Sequence, residues 1–202
     1  MTIIFRKKRT FNMKKITITL IGITLLSAAS YADHHETVDI PLLKSEAMSI
    51  IKKFGGTLKP QLKSALKSGG AVNAVSVCAV VAPKIAKQIN NENKDWSVRR
   101  ISLKNRNPNM VLDAWESAKL KEFDQRVANG EKANKMFAAE VVDGKFRFLK
   151  AQGTAKVCLA CHGKNISAEV KKKIQMHYPH DKATGYSLGQ VRGAFSLSKT
   201  LK

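Results

Sequence analysis

Three cysteines, two tryptophans and three tyrosines are all that the 202-residue chain holds of those residue types, and 15 acidic residues face 36 basic ones. Three cysteines are too few for a disulfide framework. The sparse carboxylates form no paired acid/base signature, and neither a Ser/His/Asp constellation nor a phosphate-binding glycine loop occurs, so enzymatic catalysis is not expected. Low-complexity linkers and internal repeats are missing as well, which leaves one domain as the expected organisation.

Long apolar runs are also scarce. The longest, Ile16 to Leu26, follows Lys14 and Lys15 and falls short of the roughly 20 residues that cross a bilayer. After it comes Ser27-Ala28-Ala29-Ser30-Tyr31-Ala32, with small residues at Ser30 and Ala32 where a signal peptidase reads them. The pattern predicts a secretory signal peptide over residues 1–32, cleaved after Ala32, a periplasmic protein with no permanent membrane span, and a mature domain over 33–202. Translation starting at Met1 or at Met13 serves this reading equally. No cysteine stands at the cleavage site to accept a lipid. Removing the leader takes six basic residues with it and lowers the net charge from +21 to +15. Such a surface steers acidic redox partners or anionic membrane faces toward it, and it also keeps a protein soluble. Nucleic acid is not an expected partner of an exported chain.

Within the mature segment, Cys158-Leu159-Ala160-Cys161-His162 has the C-x-x-C-H spacing that fixes a c-type haem. Two thiols three positions apart bond the haem vinyl groups as thioethers, and the adjacent histidine is held beneath the iron as proximal ligand. A zinc site needs a fourth ligand and usually a second cysteine pair, which the chain lacks. A dithiol redox site needs a thioredoxin-like β-α-β pattern around it, and none is visible. The motif therefore predicts one covalently bound haem c on Cys158 and Cys161, with His162 on the iron.

Once those thiols are consumed, Cys78 is left without a disulfide partner in an oxidising compartment. Ala71, Val75, Cys78, Ala82, Ile85 and Ile89 recur at spacings of three and four and draw one apolar helical stripe with Cys78 in its middle. Two readings of Cys78 stand: an inert core thiol, or the second axial ligand to iron. Pro83, just beyond, predicts a kink or a new helix start. Other side chains offer themselves less well. His177 and His180 sit in a polar loop and read as exposed, His34 and His35 belong to the mature N-terminus, and Met48, Met110, Met136 and Met176 read as core filler. Arg99, Arg100, Arg106 and Arg192 are candidates for haem propionates but read by default as solvated charge. Trp96 and Trp115 read as packing residues.

The remaining pattern predicts an α+β fold. Leu42 to Lys67 is largely helical, with a bend or break expected at Gly55-Gly56 and Pro60. Ser97 to Leu103 reads as a strand with Arg99, Ile101 and Leu103 on one face, and Asp113-x-x-Glu116 as a capping box opening a helix through about Val127. Phe137 to Ala151, turning at Asp143-Gly144, reads as a β-hairpin, and Gly189 to Ser198 as a last strand. The late position of C-x-x-C-H argues against small electron-transfer cytochromes. The polar and glycine-containing stretch after it argues against a four-helix-bundle cytochrome, whose last helix would have to continue there.

Four ordered blocks, VNAVSVCAVVAPKIA, RRISLKNRNPNMVLDAWE, CLACHG and YPHDKATGYSLGQVRGAFSL, together resemble the mono-haem c-type sensor-like domains, found alone in the periplasm or as input modules of signalling proteins. The resemblance spans nearly all of Leu42 to Leu197. It implies a PAS-like antiparallel sheet flanked by helices, and iron ligated by the motif histidine and by a cysteine of the upstream helix. In this chain those are His162 and Cys78. A thiolate ligand stabilises ferric iron and lowers the potential, and its loss on reduction opens a coordination position for a small gas. Redox or gas sensing through a separate signalling partner is the first expectation. The alternative is a periplasmic electron-transfer cytochrome that serves an acidic partner.

Overall fold

The structure is a computed structural model that describes residues 38–201. The expected leader over residues 1–32, its cleavage site, and His34 and His35 lie outside the described residues.

Asp39 opens α1 (Ile40–Ser76), its carboxylate accepting from the Leu42 amide at 2.9 Å, with Pro41 in the first turn, where its missing N–H costs nothing. Contrary to expectation, the helix passes through Gly55-Gly56 and Pro60 unbroken. Pro60 deletes one ladder bond and presses on the carbonyl of Gly56, and both residues lie on an exposed turn that can give slightly. The bend falls instead at Gly69 and Gly70, where Gly70 takes φ 64° and ψ −157°, a conformation that only glycine adopts cheaply. The chain continues through a π-helical turn (Val77–Val81) into α2 (Ala82–Glu92).

Four strands follow: β1 (Trp96–Ile101), β2 (Phe137–Val142), β3 (Lys145–Gly153) and β4 (Val191–Thr200). They form one antiparallel sheet in the order β1-β4-β3-β2. The hairpin forms where expected, with Asp143 and Gly144 both at positive φ, as a two-residue turn of that hand requires. The expected strand Ser97–Leu103 is shifted. It starts at Trp96 and stops at Ile101, because the hydroxyl of Ser102 donates to the carbonyl of Arg192 and draws the chain out of the ladder, leaving Leu103 exposed. Gly193 permits this crossing: a Cβ there would sit 2.1 Å from the carbonyl oxygen of Ile101.

Both faces of the sheet are covered. Leu43, Ala47, Ile50 and Phe54 recur every three or four residues along α1 and pack with Ala82, Ile85 and Ile89 of α2 against Trp96, Val98, Phe146, Phe148, Phe195 and Leu197. On the opposite face lies α3 (Ala114–Ala128), opened by the expected capping box, in which Asp113 accepts from the Glu116 amide at 2.8 Å and Glu116 accepts from the Asp113 amide at 3.2 Å. Its Leu120 and Phe123 pack on Ile101, Met136, Leu149 and Ala194. Burying a phenylalanine such as Phe54, Phe123, Phe146 or Phe148 contributes about 1.5–3 kcal/mol.

Two further helices complete the fold. The short α4 (Leu159–His162) carries the C-x-x-C-H motif, and α5 (Ala168–His177) follows it. The latter corrects the reading of His177 as a loop residue, since His177 closes this helix. Ser167 caps it, and only Val170 and Ile174 of its ten residues are buried, so three consecutive lysines hid the helical pattern.

Candidate functional site

The site begins with the motif. A 3₁₀ turn over Lys156–Cys158 leads into α4, which places Cys158 and Cys161 three positions apart on one side of the turn, with His162 next to them. Gly163 ends the helix where no side chain fits, since a Cβ would lie 2.5 Å from the carbonyl oxygen of Leu159. Two backbone bonds then fasten the motif to the loop before β4: the Tyr186 amide donates to the carbonyl of His162 at 2.9 Å and the Gly185 amide to that of Gly163 at 3.0 Å.

His162 is fixed by the same loop, its Nδ1 lying 2.7 Å from the carbonyl oxygen of Ala183. The guanidinium Nε of Arg192 also approaches Nδ1, at 3.1 Å. These contacts call for opposite tautomers. The Ala183 contact requires Nδ1–H and leaves the Nε2 lone pair free, which is the form in which histidine binds metals. Burial, followed by the charges of Arg192 and Arg106, lowers the His162 pKa to about 2 and keeps the ring neutral.

His162 lines a cavity of about 300 Å³, and so does Cys78. Tertiary folding thus brings two residues far apart in sequence to the wall of one chamber, at the lower end of the volumes typical of ligand sites. Cys158 and Cys161 stand half-buried on the motif, and all three thiols are free. Cys161 packs against the cluster of Val75, Ile166, Val170 and Ile174, its sulfur 3.9 Å from the Ala71 carbonyl oxygen, and burial pushes its thiol pKa up.

Cys78 sits within the π-helical turn, as the expectation of a disturbance near Pro83 foresaw in part. Pro83 has no N–H, and in a regular helix its ring would strike the carbonyl of Ala79; the wider turn, closed by the Ala82 amide donating to Val77, relieves that clash. The turn also reconciles two packing demands. Residues seven apart in an ideal α-helix point within about 20° of each other. Yet Val75 is buried against Ile166, Val170 and Ile174, whereas Ala82 is buried against the sheet. The stripe expected from Ala71 to Ile89 is therefore two stripes, with Cys78 at the join.

Four arginines, Arg99, Arg100, Arg106 and Arg192, line the same chamber, which corrects their reading as solvated charge. Arg106 donates to both oxygens of Asp181 at 3.1 Å and to the carbonyl of Cys161 at 2.6 Å, with side-chain exposures of 9% and 8% for the pair. Arg100 of β1 reaches only the side-chain oxygen of Gln152, at 3.3 Å. Arg192 of β4 donates to the hydroxyl of Ser102 at 3.0 Å besides approaching His162. Burial lowers the pKa of both Arg100 and Arg192. Among the described residues neither has a carboxylate partner. Arg99, which also borders the chamber, is paired with the buried Glu116. Replacing Arg106 with alanine leaves Asp181 buried and unpaired, and chemical denaturation is expected to register a loss of about 3–5 kcal/mol.

Of the other candidates, Met110 lines the chamber, Met136 is buried in the core beneath α3, and Met48 and Met176 are 42% and 70% exposed. His177 and His180 are exposed, away from the chamber. Trp96 and Trp115 pack and donate to Glu46 and Glu140. Sequence reasoning missed Tyr178, which lines the chamber and whose pKa is raised by burial and by Cys78; no sequence signal marks it beyond its place before Pro179.

A neutral imidazole and a thiol on one chamber, apolar walls from Phe54, Ala82 and Val98, and two guanidiniums lacking carboxylate partners fit a haem: a flat apolar ring, an iron and two carboxylates.

A family model described as Tll0287-like matches residues 12–199. Among solved structures, the crystal structure of the cyanobacterial heme-protein Tll0287 is similar at 26% identity and a TM-score of 0.62, over 79% of this chain and 96% of that one. No curated protein matches the chain.

Proposed function

We propose that this chain, which belongs to the Tll0287-like family and is accordingly a haem-binding protein, responds to redox state or to a small gas through a haem held by His162 and Cys78. The observation that carries this reading is the convergence of those two side chains on one chamber. Cys158 and Cys161 attach the single haem covalently as thioethers, and residues 1–32 export the chain to the periplasm. The four-stranded sheet with helices on both faces acts as a PAS-like scaffold whose partner is a separate signalling protein.

The bound haem supplies an iron with two accessible oxidation states. Neutral His162, held through Nδ1 by the carbonyl of Ala183, presents Nε2 to the metal. Cys78 would hold the iron as a thiolate, which favours the ferric state, and would be the ligand able to leave, protonated to the thiol, once an external donor reduces the haem. Cys78 lies in a π-helical turn between two separately packed helical stretches, so a change at its sulfur reaches both α1 and α2. An electron carrier, by contrast, is best served by ligands that stay in place.

Carbon monoxide separates the readings. The dithionite-reduced protein is expected to bind it, with a sharp shift of the Soret band, whereas the ferric protein does not. A ferrous protein that keeps both ligands and excludes carbon monoxide supports electron transfer to an acidic partner instead.

A further inference from the structure

We propose that Arg100 and Arg192 bind the two propionate carboxylates of the haem, so that its carboxylate edge is turned inward against β1 and β4. This rests on the haem reading above and adds an orientation to it. Charge balance carries the argument. Four arginines border the chamber, Arg99, Arg100, Arg106 and Arg192. Glu116 neutralises Arg99 and Asp181 neutralises Arg106. Among the described residues Arg100 and Arg192 keep only neutral partners, a glutamine oxygen and a serine hydroxyl, besides the imidazole of His162.

Two half-buried guanidiniums on the wall of an apolar chamber, without counter-ions among the described residues, are costly in a folded protein unless a ligand completes them. The excess is two positive charges, and haem carries two carboxylates. Each guanidinium offers the planar fork that matches a carboxylate, and the two come from hydrogen-bonded neighbouring strands, since Arg100 lies opposite Phe195 on β4. In many haem pockets the propionates meet water. Here they would bind the sheet directly and tie the charge of the haem to the two strands that carry it.

The test uses a Cys158→Ala/Cys161→Ala protein titrated with haemin and with haemin dimethyl ester, whose carboxylates are blocked. With both arginines present, the ester is expected to bind about 100-fold more weakly, the worth of two charge-assisted pairs at the low end of their range. In an Arg100→Gln/Arg192→Gln background the ratio shrinks to within about threefold. An ester that binds as well as the acid, or a preference that survives loss of both arginines, overturns the proposal. The covalent holoprotein gives a second readout if the cysteine variant takes up no haem. Losing either cation leaves a propionate charge uncompensated, which stabilises ferric iron, so the midpoint potential falls in Arg100→Gln and in Arg192→Gln. In Arg126→Gln, a surface control paired with Glu131, it does not move. Unmoved potentials beside an intact ferric low-spin spectrum defeat the arginine assignment alone. A native protein that holds no haem defeats it together with the function it rests on.

Discussion

Replacing Cys78 with serine is expected to abolish the low-spin thiolate signature in the EPR spectrum of the ferric holoprotein and to raise its midpoint potential by on the order of 100 mV or more. The sign follows from charge. A thiolate places a full negative charge on the metal and stabilises iron(III), whereas a serine hydroxyl stays neutral and donates weakly, so the ferrous state gains. The protein should still fold and attach haem, because Cys78 is half-buried at a helical join and the covalent attachment lies elsewhere. Spectra unchanged by the substitution would return Cys78 to the role of a wall residue. The search for a second ligand would then move to Met110 and Tyr178, which line the same chamber, and electron transfer would become the leading function.

The other large effect concerns attachment. A Cys158→Ala/Cys161→Ala protein is expected to lose all covalent haem: acidified organic solvent extracts the pigment completely, and the polypeptide mass drops to that of the bare chain. Each single substitution keeps one thioether and shifts the pyridine haemochrome band part of the way toward that of haem with free vinyl groups. Folding is little affected by comparison. Cys161 packs at the edge of the small cluster of Val75, Ile166, Val170 and Ile174, and truncating it costs about 1 kcal/mol. Haem that resists extraction from the double variant would mean attachment through another residue and would remove the basis for the c-type reading.

Local signals were the legible ones. Asp113 and Glu116 cap each other within one turn of chain, Asp143-Gly144 sets a hairpin by its own backbone preferences, and the Val191, Gly193, Phe195, Leu197 pattern marks β4 as a strand, though the fold buries both of its faces from Gly193 to Leu197. Each depends on neighbours a few residues away, so each can be read without the fold. Pro60 and Gly55-Gly56 misled for the complementary reason. Their intrinsic cost is real, yet packing of Leu43, Ala47, Ile50 and Phe54 along the sheet outweighs a kilocalorie-scale propensity. The break at Gly69-Gly70 went unread because its effect lies in a backbone angle that glycine permits and does not compel.

The candidate site divides along the same line. Cys158, Cys161 and His162 are recognisable because covalent attachment demands a fixed spacing along the chain, and spacing is a property of sequence. The identity of Cys78 as odd thiol is likewise arithmetic. Its placement on the same chamber as His162, the partial burial of Arg100, Arg106 and Arg192, and the pairing of Asp181 with Arg106 alone arise only when β1, β4, the π-helical turn and the motif loop meet around one chamber. An arginine in sequence carries one charge whether it faces water or a cavity. Desolvation, which decides what that charge must bind, exists only once the chain has folded around it.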